Sequence, residues 1–157
     1  MSRFVLGLDP GTHFAGYALI DVRRPGLYRA QAMGTIVMRD GPLHRRLAQA
    51  MGELVPILEQ ARQKNAECVV ERPFVNKNHM ATLAIAGIRA ICLALVGAAE
   101  LPYHEYSPQT WKRITGKGNA HKIEVANVVK RILNLDFDPP LDAADAAGMA
   151  IYHAHTS

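Results

Sequence analysis

The stretch Phe4-Val5-Leu6-Gly7-Leu8-Asp9-Pro10-Gly11 decides how the rest of the chain is read. An apolar run meets a carboxylate and then a turn pair. Residues 4–8 therefore predict a short buried strand that ends at Asp9. A carboxylate at the mouth of such a strand is held rigidly and loses part of its water, so it needs a proton or a cation nearby. Taken alone, Asp9 is better explained as a cap on the Pro10-Gly11 turn.

Working outward, residues 14–22 read as a second strand, followed by the turn cluster Arg23-Arg24-Pro25-Gly26, and residues 28–38 as a third. Three sequential strands with short turns predict an antiparallel meander. Leu43, Leu47, Met51, Leu54, Leu58 and Ala61 then follow helical spacing, with Pro56 expected to kink or interrupt the helix. Residues 67–70 predict a fourth strand ending at Glu71, residues 81–99 an apolar helix, and residues 103–106 a fifth strand. Ser107-Pro108 has the form of a helix cap followed by Pro at the first position. Asn119 is placed to cap a helix through Leu133, and Asp138-Pro139-Pro140 to open a last helix over 141–155. Helical connections between the later strands make them parallel. The expected class is α/β, a mixed five-stranded sheet flanked by helices, as one domain over 1–157.

Composition narrows the classes. The chain has 157 residues, 49% of them hydrophobic and 20% charged, which suits one packed domain and excludes a disordered chain. Its two cysteines, Cys68 and Cys92, cannot build a disulfide framework, and no Cys/His spacing resembles a zinc site. His153 and His155 are two apart on a helix, face different ways and make poor joint ligands. Asp9 interrupts the early apolar run, so no secretory signal is expected and the assigned compartment is the cytoplasm. The 81–99 segment is long enough to span a bilayer, but Arg89 lies near its middle and its residues are largely Ala and Gly. It reads as a helix buried in the protein or at a subunit interface, with no membrane partner.

Acids recur where α/β sheets build sites. Asp9 ends one apolar strand and Glu71, after Cys68-Val69-Val70, ends another. Asp142 and Asp145 sit three apart on the last helix and share a face. The small residues around them, Ala143, Ala144, Ala146, Ala147 and Gly148, let that helix lie close to a sheet. Four oxygen donors without His or Cys suit Mg²⁺, with Mn²⁺ able to substitute. Two such ions clamp the attacking and leaving oxygens of a phosphodiester displacement. The bland alternatives are a turn cap for Asp9 and helix-dipole pairing for Asp142 and Asp145. Jointly these leave the acids at the ends of two buried strands unexplained. Asp136 and Asp138 are assigned to the loop and the helix cap, and Trp111 to packing.

These residues carry a family resemblance. Leu8-Asp9-Pro10-Gly11-Thr12 with Gly16-Tyr17 resembles the opening of RuvC-type Holliday junction resolvases. Val69-Val70-Glu71 with Phe74 and Lys77-Asn78 is similar to that family's second acidic block. Gly116-Lys117-Gly118-Asn119-Ala120-His121-Lys122 resembles its glycine-rich loop, and Asp142-Ala143-Ala144-Asp145-Ala146 its carboxyl-terminal block. The resemblance runs nearly end to end and in order. It implies an RNase H-like fold, a homodimer, and a metal-dependent endonuclease that makes paired symmetric nicks across a four-way DNA junction in recombination and repair. It places the metal ligands, and the catalytic acids, at Asp9, Glu71, Asp142 and Asp145. It sets Lys122 and Lys112 near the scissile phosphate, and Phe74 at a base near the exchange point. Lys77, Arg89 and Lys117 complete the expected DNA contacts. A branch-migration motor complex is an expected partner by resemblance. For Phe74 a hydrophobic plug under its loop is an equal reading, and for Lys112 and Lys122 ordinary solvation is the preferred reading when the resemblance is set aside.

Other readings stay open at this point. A related nuclease for other branched DNA, or a non-catalytic junction-binding module, shares much of the pattern. An actin-like ATPase lobe shares Asp9-Pro10-Gly11-Thr12, but such enzymes need two lobes around the nucleotide. The net charge of +4 at pH 7 permits a nucleic-acid partner without requiring one. Its placement is more telling. Residues 107–131 hold six Lys/Arg and one acid, Glu124, while residues 72–90 hold three and none. Both segments flank the proposed acids, as basic shoulders that track phosphates.

Overall fold

The computed structural model describes residues 2–11, 13–72 and 79–157. Its elements in chain order are β1 (Arg3–Asp9), β2 (Phe14–Arg24), β3 (Leu27–Val37), α1 (Leu43–Gln63), β4 (Glu67–Glu71), α2 (His79–Ala98), β5 (Tyr103–Tyr106), α3 (Pro108–Trp111), a 3₁₀ turn (Lys112–Thr115), α4 (Lys122–Ile132) and α5 (Leu141–Thr156). The sheet order is β3-β2-β1-β4-β5. β1 pairs with β2, and β2 with β3, antiparallel, whereas β1–β4 and β4–β5 are parallel. The expected meander and its parallel extension are both present.

Strand periodicity explains the layers. Side chains alternate across a strand, so Leu6, Leu8, Cys68 and Val70 face one side with α1 and α2, where Leu54, Leu58, Ile88 and Cys92 bury against them. Val5 and Val69 face the other side, toward Val125 and Val129 of α4 and Ala146, Ala147 and Ala150 of α5. Asp9 and Glu71 have the parity of Val5 and Val69. The sequence pattern that buries the strands therefore aims both acids at the α5 side.

Two glycines let α5 touch the sheet. A Cβ at Gly7 would overlap the Ala146 carbonyl oxygen, and one at Gly16 the Asp142 carbonyl oxygen. Gly16 is the β2 partner of Asp9, so this contact seats the first turn of α5 beside the end of β1. The run of small residues from Ala143 to Gly148 is buried throughout, as close backbone approach requires.

Three local expectations are corrected. Pro56 does not interrupt α1, which runs unbroken for 21 residues. Its missing amide leaves the Gly52 carbonyl without a helical bond, but both residues are exposed, where water serves that carbonyl. Asn119 does not cap α4. The cap is His121, whose backbone N–H donates to Glu124 Oε2 at 2.7 Å, so the helix begins two residues later. Asp138 caps nothing and instead accepts from Lys130 at 2.7 Å, leaving Pro140 to start α5 without a side-chain cap. Ser107 does cap α3, its Oγ accepting from the Thr110 N–H at 3.3 Å. Among the described residues no helix is long and apolar enough to cross a membrane.

Candidate active site

Asp9 and Glu71 each lie one residue beyond the Leu8–Val70 pair of the parallel β1–β4 ladder, so they emerge side by side at the same sheet end. α5 brings Asp142 and Asp145 to that place from above. Asp145 is only 4% exposed. Its Oδ2 accepts from Lys122 Nζ at 2.9 Å, and Asp142 Oδ1 accepts from the same ammonium at 3.1 Å. Lys122 is the first residue of α4, and the late cap at His121 is what aims it across the gap.

The electrostatics follow from crowding like charges in a partly dry place. Burial, then the neighbouring Glu71, Asp145 and Asp142, push the Asp9 carboxyl well above the usual carboxylate range. Glu71 is raised chiefly by burial, against the hydrogen bond it receives from Trp111. Asp145 is raised by burial too, against the pull of Lys122. For Lys122, burial works against the charge, yet the hydrogen bond and charge of Asp145 and the bond to Asp142 outweigh it and hold the ammonium above its ordinary range. Lys112 adds positive potential at Glu71 and Asp145.

The donor set fits a divalent cation. Asp145 Oδ1 is buried and has no hydrogen-bond partner among the described residues. An ammonium already bridges two of the carboxylates, so a positive charge is stable at this place. All four groups offer hard oxygen and none offers sulfur or imidazole.

Trp111 packs as expected and also makes a polar contact. It is fully buried against Gly148 of α5, and its Nε1–H donates to Glu71 Oε2 at 2.8 Å. A buried indole needs an acceptor for its N–H, but the sequence does not say which one, because Glu71 lies forty residues away. The other expected residues are spread more widely. Lys117 pairs with Glu124 at 2.6 Å on the surface. Arg89 donates to Glu105 at 2.6 Å and to the Tyr103 hydroxyl at 2.9 Å, and its side chain is only 16% exposed. The structure thus gives Arg89 an internal ion pair. Phe74 and Lys77 lie outside the described residues.

A mixed sheet in this order, with acids at the mouth of its central strands and a helix carrying two more, defines an RNase H-like nuclease fold. The yeast mitochondrial Holliday junction resolvase Ydc2 shares that fold, with a TM-score of 0.65 over 97% of this chain and 80% of that one at 14% identity. Closer comparisons narrow the class. The family model described as crossover junction endodeoxyribonuclease RuvC matches residues 5–153. The chain is 36% identical over 159 residues to the crossover junction endodeoxyribonuclease RuvC of Chromobacterium violaceum, covering 100% of this chain and 89% of that protein. Thermus thermophilus RuvC in complex with Holliday junction substrate matches with a TM-score of 0.86 at 25% identity, over 98% of this chain and 93% of that one. The chain belongs to the RuvC family of crossover junction endodeoxyribonucleases. Membership makes it a DNA-hydrolysing enzyme of a kind that depends on a divalent metal.

Proposed function

We propose that this chain, as one nuclease domain over 1–157, binds four-way DNA junctions and resolves them by paired symmetric nicks. The observation that carries the reading is the meeting of Asp9, Glu71, Asp142 and Asp145 from three elements at one end of the sheet, close enough to act on one another's charge, with Lys122 as their counter-charge. These four acids would hold Mg²⁺, two ions per site, with Mn²⁺ as a substitute. Bound there, the metal supplies Lewis-acid stabilisation of the attacking and leaving oxygens.

The chain's own groups do the rest. Trp111 fixes the Glu71 carboxylate by its 2.8 Å hydrogen bond, so the acid is oriented before DNA arrives. The Gly7 and Gly16 contacts keep α5, and with it Asp142 and Asp145, at a fixed depth over β1 and β2. Lys122 and Lys112 bring positive charge to the scissile phosphate, where negative charge grows in the transition state. Lys77, Lys117 and Arg89 are proposed outer contacts to the DNA arms, and Phe74 a contact to a base at the exchange point.

Paired nicks require two active sites, which supports a homodimer. α2 offers a surface for it, because Leu83, Ala86, Ala90 and Ala94 form an exposed apolar stripe at helical spacing. A branch-migration motor is proposed on resemblance alone, and a cytoplasmic setting on the two free, buried cysteines. Incubating the protein with a labelled four-way junction, a linear duplex and a flap, with and without Mg²⁺, tests the reading. Metal-dependent paired cuts in the junction are expected. No metal-dependent cutting of any substrate would reject the nuclease, and equal cutting of flaps would reject the resolvase.

A further inference from the structure

A second polar cluster lies at the opposite end of α5 and takes no part in the chemistry above. Glu67 begins β4, His104 lies on β5 and His153 comes from the last turns of α5. His153 Nε2 lies 2.8 Å from Glu67 Oε2, and His104 Nε2 lies 3.5 Å from the same oxygen. The ligand atoms of all three residues fall within 4.8 Å of one another. The two imidazoles stack with centroids 4.2 Å apart. Two ring nitrogens therefore converge on one carboxylate oxygen.

We propose that Glu67, His104 and His153 form a binding site for a late divalent transition metal of the zinc type, separate from the acid pocket. Two imidazoles and a carboxylate select Zn²⁺ and its borderline neighbours over Mg²⁺. Bonds of about 2.0–2.2 Å in a tetrahedral site put ligand atoms roughly 3.3–3.5 Å apart; the 2.8 Å and 3.5 Å separations from Glu67 Oε2 lie around that value, so binding needs shifts of only a few tenths of an ångström at this carboxylate. Three protein ligands leave a fourth position for water on the side of His104, whose side chain is 40% exposed.

The surroundings have the form of a supporting layer for such a site. Arg3 Nε donates to Glu67 Oε1 at 2.6 Å, which orients the carboxylate and leaves Oε2 for the metal. His153 Nδ1 and the Tyr106 hydroxyl are 2.8 Å apart. With Nε2 on a metal, Nδ1–H donates to that hydroxyl oxygen, the outer hydrogen bond that metal-bound histidines need. His153 is 1% exposed, and burial favours its neutral ring, the form that ligates. A metal here would tie β4, β5 and the end of α5 together.

The test is zinc retention after equilibrium dialysis in excess Mg²⁺, on wild type, His104→Ala and Asp145→Asn, with melting temperature read alongside. One zinc per chain is expected in wild type and in Asp145→Asn and none in His104→Ala, with zinc raising the melting temperature only in the first two. His104→Ala should still cut junctions with Mg²⁺ at the wild-type rate. Zinc retained by His104→Ala, or none retained by wild type, overturns the site. If His104→Ala fails to fold, pulsed EPR of Cu²⁺-loaded wild type decides: two coupled imidazole nitrogens support the site and none rejects it. Because the assay reads zinc and not cleavage, its failure is distinct from failure of the resolvase reading.

Discussion

At its amino-terminal end α5 sets Asp142 and Asp145 beside Asp9 and Glu71. At its carboxyl-terminal end it sets His153 beside Glu67, His104 and Arg3. Both clusters press against the same sheet face, but their charge balance is opposite. The first crowds four carboxylates around a single bridging ammonium, and the carboxyls at Asp9, Glu71 and Asp145 are all displaced upward, burial the largest cause in each. The second gives its one carboxylate an arginine and two imidazoles, and the Arg3 hydrogen bond leads in lowering Glu67 to about 2. One end is left short of positive charge and the other is satisfied. A deficit held in place by packing makes the first end depend on a cation, whereas the second end holds its charge without one, so a zinc-type ion bound there would add stability without being needed for the fold.

The largest test of that contrast is Asp145→Asn. It removes the charge from the most confined carboxylate of the helix and keeps its shape. Cleavage of a labelled junction should fall about 1000-fold or more, while junction affinity by gel shift stays near wild type. Appreciable residual cleavage would mean that the deficit at this end is not catalytic.

Trp111→Phe is the next step down. It keeps a ring over Gly148 but takes away the donor to Glu71. The expected outcome is a 10–100-fold lower cleavage rate at limiting Mg²⁺, partly recovered at high Mg²⁺, with a stability loss of about 1–3 kcal/mol in urea. An unchanged Mg²⁺ requirement would reduce Trp111 to a packing residue.

The two ends also differ in how far the sequence shows them. The acid end is legible because its signals are local: apolar runs stop at Asp9 and Glu71, and Asp142 and Asp145 share a helical face. The β-meander and the parallel strands are legible for the same reason. What stays hidden depends on contacts between distant segments. Trp111 and Glu71 are forty residues apart. The Glu67–His104–His153 cluster draws on three elements and follows no ligand spacing, so a search for Cys/His motifs passes over it. Pro56 and Asn119 mislead because a local rule was outweighed, by solvent exposure in one case and by the His121–Glu124 pairing in the other.

Gly16→Ala tests whether depth, and not charge alone, makes the acid end. The added methyl meets the Asp142 carbonyl, and neither backbone can give way without lifting α5. A loss of roughly 1–3 kcal/mol in urea unfolding is expected, with weakened cleavage. Gly26→Ala, in open space but at φ +81, is a control for backbone strain without helix displacement and should leave the cleavage rate unchanged. Equal loss of cleavage in both would remove the close-approach explanation.

The smallest effect is the dependence of stability on pH in metal-free protein, and it has opposite signs at the two ends. At the acid end the folded state favours protonated carboxyls. That contribution is present at low pH and is lost as pH rises through the raised range. Asp9→Asn is neutral at every pH, so in EDTA at pH 7 it should melt about 2–4 °C above wild type, a gain of roughly 1 kcal/mol, and the gap should close near pH 4. Glu67 is lowered, so its contribution is complete above its ordinary range and disappears as pH falls toward about 2. Glu67→Gln should therefore melt below wild type at pH 7 and approach it in acid. Excess Mg²⁺ should erase the advantage of Asp9→Asn, because the wild-type carboxylates then gain the charge they lack, and should leave the Glu67→Gln deficit unchanged. If Asp9→Asn melts below wild type in EDTA at pH 7, the acids at that end are not held against their own repulsion, and the contrast between the two ends of α5 fails.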